Sequence, residues 1–175
     1  MKKQDITYND TVKEALAIAL LKLMEHKNLM QISISEIVNK AGVSRSSFYR
    51  NFNSKEEILI DYIEKRYRHY FNSLTISSKD IKIFLYHRLH FIKQNKTFFI
   101  CLRKNNLLNY LFEEMDPDLA SYLSGEQIFA SPYHRAMFTS CSAGIIRQWI
   151  DNNFKESEEE LLALQFSVSA KFKSN

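Results

Sequence analysis

The feature that most constrains how this chain can fold is a short turn, Ala41-Gly42-Val43-Ser44, between two segments of helical periodicity. The first segment begins at Ser33, which makes an S-x-x-E capping box with Glu36. The glycine of the turn stands where a helix ends in a left-handed residue, and its serine can cap the next helix. Helices joined by so short a turn must cross closely, so residues 33–52 are predicted to form a helix-turn-helix.

Helices are predicted for the rest of the chain, because it holds only 3 Gly and 2 Pro and no segment alternates with a period of two. The fold class expected is all-α. Residues 1–54 would form the N-terminal domain, helix 55–72 would connect it to the body, and residues 73–175 would form a helical C-terminal domain. Further predicted features are a Thr11/Glu14 box, a Ser131-Pro132 start, a Ser157/Glu160 box and shorter helices near 106–115 and 117–124.

The net positive charge is concentrated in the first third of the chain. Residues 1–55 hold nine Lys/Arg and five Asp/Glu, whereas residues 56–175 hold fifteen of each. A basic segment attached to a neutral body is typical of a phosphate-binding module, although an excess of this size is also common on solvated surfaces.

Composition also bears on the compartment. Cys101 and Cys141 lie far apart in apolar stretches and do not indicate a disulfide framework, which favours a reducing cytoplasm. No apolar run approaches the roughly 20 residues needed to span a bilayer, and the first residues lack the apolar core of a signal peptide. A cytoplasmic protein without a membrane partner is therefore expected.

The second helix of the helix-turn-helix has a polar outer face. Phe48 and Phe52 fall on the side that would pack inward, which leaves hydrogen-bond donors on the other side. A helix that enters the major groove of DNA needs such a face. The outer face consists of Arg45, Ser46, Ser47, Tyr49 and Arg50.

At this point residues 11–67 resemble the DNA-binding domain of the TetR, or tetracycline-repressor-like, regulators. The match runs through A-G-V-S, F-Y-x-x-F and S-K-E between Ile34 and Leu59. The resemblance implies a TetR-like fold, with a helical C-terminal domain for effector sensing and dimerisation. Ser46 departs from the Gly or Pro-like residue often found there, and Asn51 from a frequent aromatic, so the operator sequence stays open.

The resemblance also implies roles for individual residues. Ser33 would cap its helix and reach a phosphate, Tyr49 would contact phosphate through its hydroxyl, and Lys55 would bind a phosphate. Arg45 and its neighbours would contact bases and nearby phosphates. The predicted DNA contacts are Ser33, Ser44, Arg45, Ser46, Ser47, Tyr49, Arg50 and Lys55.

The region from Tyr133 to Leu164 is similar to one C-terminal domain of the family. In that family the last two long helices pair with their symmetry mates, and a homodimer presents two recognition helices about 34–36 Å apart to a palindromic site. The residues predicted at this interface are Met137, Ser140, Gly144, Trp149, Leu161, Leu164 and Val168.

The middle of the chain is rich in aromatic residues. The resemblance implies an effector pocket lined by such side chains, and the alternative is a plain packed core. The candidate lining residues are Phe84, Phe91, Phe98, Phe99, Tyr110 and Phe112. Four basic residues could bind an acidic partner or an anionic ligand, or could simply be solvated. They are Lys93, Lys96, Arg103 and Lys104.

Together these features predict a sequence-specific regulator that binds palindromic double-stranded DNA as a homodimer and is controlled through its C-terminal domain by a small-molecule effector. The alternative is control by a protein co-regulator. Repression is the commoner outcome in the family, and activation stays open. An enzyme is not expected, because no nucleophile–base pair, phosphate loop or metal quartet is evident. No cofactor and no metal are expected either.

Overall fold

The computed structural model describes residues 3–74, 80–109, 111, 112, 119 and 131–171, with side chains described between residues 9 and 167 of those ranges. Every regular element within them is helical, which confirms the all-α prediction. None of the helices in this part of the chain is both long and apolar enough to cross a membrane. The chain divides into two compact units, residues 1–69 and 70–175.

The N-terminal unit is built from three helices and the first part of a fourth. These are α1 (Lys3–Met24), α2 (Ile34–Ala41), α3 (Arg45–Asn51) and α4 (Lys55–Ser73), with a 3₁₀ turn at Leu29–Gln31. Their apolar faces meet in a core that excludes solvent almost completely. Its most buried members are Leu16, Leu20, Ile32, Ile37, Phe48, Ile58, Leu59 and Ile63.

The first helix begins earlier than the capping box at Thr11 predicts. It extends back to Lys3, so Thr11 lies inside the helix and the predicted start is wrong. The reason is that residues 3–10 contain no Gly or Pro to stop a helix. An ion pair also holds this turn, since Nζ of Lys65 on α4 lies 3.0 Å from Oδ1 of Asp10.

The turn between α2 and α3 has the predicted geometry. Gly42 has φ = 69°, and the N–H of Val43 donates to the carbonyl of Val38 at 3.0 Å, which closes the end of α2. Oγ of Ser44 accepts from the N–H of Ser47 at 3.0 Å and caps α3. The crossing of the two helices is thus determined by one left-handed glycine and one capping hydroxyl.

The second unit contains α5 (Ile81–Gln94), α6 (Lys96–Lys104), α7 (Pro132–Asp151) and α8 (Glu158–Lys171). Helix α5 packs against α6 and α8, and α7 packs against α6 and α8. The predicted Ser131-Pro132 start and the Ser157/Glu160 box are both confirmed. The predicted helix near 117–124 and most of the one near 106–115 lie outside the described residues.

The capping box of α2 is confirmed and carries an additional charge. Oε2 of Glu36 accepts from the N–H of Ser33 at 2.9 Å, and Oε1 accepts from the ammonium of Lys27. These hydrogen bonds lower the pKa of Glu36 from 4.5 to about 2, and the bond from Lys27 has the largest effect.

Replacement of Glu36 by Gln should therefore destabilise the protein in a pH-dependent way. Because folding lowers the pKa of Glu36, the stabilisation is fully present above about pH 4.5 and is lost as the pH falls towards about 2. Thermal unfolding of wild type and Glu36→Gln across this range should give a difference in Tm that shrinks on acidification. Replacement of the exposed Glu14 by Gln is the control. A difference that does not change with pH would contradict the assignment.

Candidate nucleic-acid interface

Helix α3 separates its side chains into a buried face and an exposed polar face. Phe48 is fully buried and Phe52, at the end of the helix, is 4% exposed. Arg45 and Arg50 are exposed, and Tyr49 keeps 52% of its surface. The helix therefore offers hydrogen-bond donors outward while its aromatic residues fix it to the domain.

Arg45 and Tyr49 form a pair on this face. They are one helical turn apart, and Nη2 of Arg45 donates to the Tyr49 hydroxyl at 3.4 Å. The guanidinium carbon also lies 5.9 Å from the centre of the tyrosine ring. The pair restricts both long side chains to one region of the surface, which lowers the entropy lost when they bind a ligand.

Three serine hydroxyls gather at the start of α3. Oγ of Ser44 lies 2.8 Å from Oγ of Ser46 and 2.9 Å from Oγ of Ser47. Ser44 and Ser46 are exposed and Ser47 is partly buried. Since a hydroxyl both donates and accepts, this group can exchange its mutual hydrogen bonds for bonds to phosphate oxygens.

Ser33, at the start of α2, is exposed but already engaged. Its Oγ donates to Oε2 of Glu36 at 2.9 Å and accepts from the N–H of Glu36 at 3.2 Å. A phosphate that approached Ser33 would meet the Glu36 carboxylate as well, with Lys27 as its counter-charge. Sequence reasoning identified the capping box but missed Lys27, whose position in the loop before α2 carries no periodic signal.

Lys55 occupies a different environment from the other predicted contacts. It is partly buried, and its ammonium donates to the carbonyls of Leu29 and, at 2.6 Å, Ile32. Met30 supplies a third, longer contact at 3.4 Å. Lys55 thus ties the first residue of α4 to the 3₁₀ turn before α2. This structural role was not expected from the sequence.

The family model described as bacterial regulatory proteins, tetR family, matches residues 16–62. This segment includes α2, the turn and α3. The N-terminal unit therefore contains a TetR-type DNA-binding domain. The protein is accordingly a DNA-binding regulator whose helix-turn-helix is of the TetR type. No curated protein matches the sequence.

Two solved structures extend the TetR comparison to the rest of the chain. A TetR transcriptional regulator from Streptococcus agalactiae 2603V aligns with a TM-score of 0.71 and 20% identity, covering 94% of this chain and 97% of that one. The dihydroxyacetone kinase operon activator DhaS aligns with a TM-score of 0.52 and 18% identity, covering 91% and 94%. At these identities the likeness shows the fold alone.

The predicted pocket residues that the structure describes are buried in the second unit. Phe84, Phe91, Phe98, Phe99 and Phe112 are all at most 7% exposed, and Tyr110 lies outside the described residues. The rings of Phe91 and Phe99 are 6.4 Å apart, and those of Phe98 and Phe99 are 5.8 Å apart. These distances are those of packed aromatic neighbours.

One buried charge accompanies these rings and was missed at the sequence level. Arg88 is 1% exposed, and its guanidinium carbon lies 5.8 Å from the ring centre of Phe112. No local pattern distinguishes Arg88 from a solvated residue. In the described ranges, no group of three or more His, Cys, Asp and Glu is placed to hold a metal ion.

The predicted interface residues separate into two groups. Met137, Ser140 and Leu164 are exposed, and Gly144 is half-buried. Trp149 and Leu161 are instead in the core, at 1% and 5% exposure. Nε1 of Trp149 donates to the carbonyl of Glu156 at 3.0 Å, and its ring packs on Phe154. These two residues are therefore inaccessible to a partner, and the side chain of Val168 lies outside the described residues.

Replacement of Lys55 by Met should test which role this lysine has. Loss of the ammonium leaves the carbonyls of Leu29 and Ile32 without their donor and should lower the free energy of unfolding by about 1–3 kcal/mol, measured with urea. The exposed Lys22 on α1, replaced by Met, should have little effect.

The same variant should be titrated onto DNA at several salt concentrations. If the ammonium also contacts a phosphate, the slope of log K against log salt should fall by about one charge. Weaker binding with an unchanged slope would assign Lys55 to the fold alone, and unchanged stability would contradict the structural role.

Proposed function

We propose that this protein is a sequence-specific transcription regulator that binds a palindromic operator as a homodimer. The exposed polar face of α3 is the observation that supports it most directly, because it lies in a TetR-family helix-turn-helix. In this proposal Arg45, Ser46 and Ser47 contact bases and nearby phosphates, while Tyr49, Arg50 and Ser44 contact the backbone. Ser33 and Lys55 position α2 and α4, and their contacts with phosphate are proposed as secondary.

The homodimer would form through the outer surfaces of α7 and α8. Met137 is 40% exposed and Leu164 is 48% exposed, so each helix offers one large apolar side chain to a partner. Ser140 and Gly144 are four residues apart on α7. Among the described residues, a methyl group added at Gly144 would meet no atom within 4 Å. Small residues there would let a partner helix approach closely.

We propose that DNA binding is controlled through the second unit. A small molecule that binds among the buried aromatic residues would alter the spacing of the two recognition helices, and a protein co-regulator is the alternative. We propose repression, in which the bound dimer blocks the polymerase. Activation is a second candidate, favoured by the name of the dihydroxyacetone kinase operon activator, whose fold this chain shares.

The proposal is tested by selecting bound fragments from a random duplex library with the purified protein. The expected result is one short palindrome bound by two subunits. Replacement of Arg45 by Ala should then weaken binding to that palindrome by about 1–3 kcal/mol, the value of a good bidentate base contact, and should weaken binding to unrelated DNA much less.

Replacement of the exposed Arg66 on α4 by Ala removes the same charge outside the proposed interface and is the matched control. Equal losses on specific and unrelated DNA would exclude Arg45 from base recognition. Recovery of no preferred sequence by the wild type, with or without cell extract, would overturn the proposed function.

The homodimer is tested by sedimentation over a range of concentrations. Replacement of Leu164 by Glu should raise the dissociation constant strongly, because it buries a charge in an apolar contact. The same change at Ile18, an exposed apolar residue of the N-terminal unit, should not. Gly144→Ala should also weaken the dimer. If Ala instead stabilises the protein by about 0.5–1 kcal/mol without affecting association, this face is solvated.

A further inference from the structure

A small polar crevice in the second unit lies at the end of α6 and beside α7. It is open to solvent and has a volume of about 210 Å³, and the described residues that line it are Arg103, Asn106, Leu108, Asn109 and Arg147. Among the described residues, its lining contains two arginines and two asparagines but no aspartate or glutamate. Since a water molecule takes about 30 Å³ in the liquid, the space suits a ligand of a few heavy atoms.

Arg103 is held in place by an ion pair at its other edge. Its Nε donates to Oδ1 of Asp151 at 2.9 Å and its Nη2 donates to Oδ2 at 2.8 Å, which is a bidentate fork. The pairing keeps the pKa of Asp151 below its usual range. The fork uses one edge of the guanidinium, so the remaining N–H groups of Arg103 are oriented and still able to donate.

Arg147 lies on α7, one turn before Asp151. Its Nε is buried and has no hydrogen-bond partner among the described residues. A buried guanidinium N–H normally has an acceptor, because leaving it unsatisfied costs the desolvation energy of a charged group. Because Asp151 balances Arg103, these three residues together carry the one positive charge of Arg147.

We propose that this crevice is a binding site for a small oxyanion, a carboxylate or phosphate compound of a few heavy atoms. Guanidinium forks match the geometry of both groups, and carboxamides can donate to their remaining oxygens. Leu108 supplies an apolar wall for a short carbon skeleton. None of the described residues that line it is aromatic, and the proposal does not depend on DNA binding.

The test uses the purified full-length chain without DNA. Inorganic phosphate and malonate are titrated separately, with sodium chloride at matched ionic strength as the reference, while the Nε–H signals of Arg103 and Arg147 are followed by NMR. The expected result is a saturable shift of both signals with at least one of the two anions. Saturation by phosphate alone would assign a phosphoryl ligand, and saturation by malonate alone a carboxylate.

Replacement of Arg147 by Gln should weaken the anion about tenfold or more, as the loss of a charged hydrogen-bonding group implies. Lys104→Gln removes a neighbouring exposed charge that does not line the crevice, and it should change the affinity less than about twofold. If Arg147→Gln does not fold, Arg147→Lys keeps the charge without the fork and should bind measurably but more weakly. Shifts that follow ionic strength alone, or equal losses in the Arg147 and Lys104 variants, would overturn the proposal.

Discussion

The arrangement of the N-terminal unit depends on the burial of Phe48 and Phe52. Helix α3 has seven residues, and a helix of that length is not stable alone in water. Burial of each phenylalanine contributes about 1.5–3 kcal/mol, which makes the helix part of the core. Because a seven-residue helix can bury only one face, the side chains opposite Phe48 are held outward. The polar surface of α3 is therefore a consequence of how the helix is anchored.

The basic charge of this unit is divided between structure and surface. Lys13 pairs with Asp61 at 2.7 Å, Lys65 with Asp10, and Lys55 with backbone carbonyls. Arg45 and Arg50 remain exposed on α3. The excess of four positive charges in the first third of the chain thus overstates the number of charges that could contact a phosphate backbone. These two arginines follow the turn at Gly42, whereas Lys22 and Lys40 are exposed on α1 and α2.

In the second unit, polar side chains lie together at the ends of α6 and α7. Asn106 and Asn153 both have φ near +55° to +59° and follow the ends of α6 and α7, where they close the last turns. Phe154 is also left-handed, a strained conformation for a bulky residue, and its packing on Trp149 offsets the strain. The ends of α6 and α7 meet through Arg103 and Asp151, and this places Arg147 of α7 beside Arg103 of α6.

Local spacing alone determined much of this protein. The capping serines, the left-handed glycine, the inward and outward faces of α3 and the TetR-like motif were all readable from the sequence, because each depends on residues within a few positions of one another. The start of α1 was misjudged because a capping pair is only a local preference, and a helix continues through it when nothing stops the chain.

Only the tertiary structure shows which residues that are far apart in the sequence come into contact. Lys55 bonds to carbonyls more than twenty residues away, Trp149 and Leu161 turn into the core, and Arg103 comes to lie beside Arg147. Helical periodicity indicates which side of a helix is apolar, but it does not say which other helix covers that side. Those contacts follow from the packing of several helices at once. That packing decides which charged side chains form contacts within the protein and which remain exposed to a ligand.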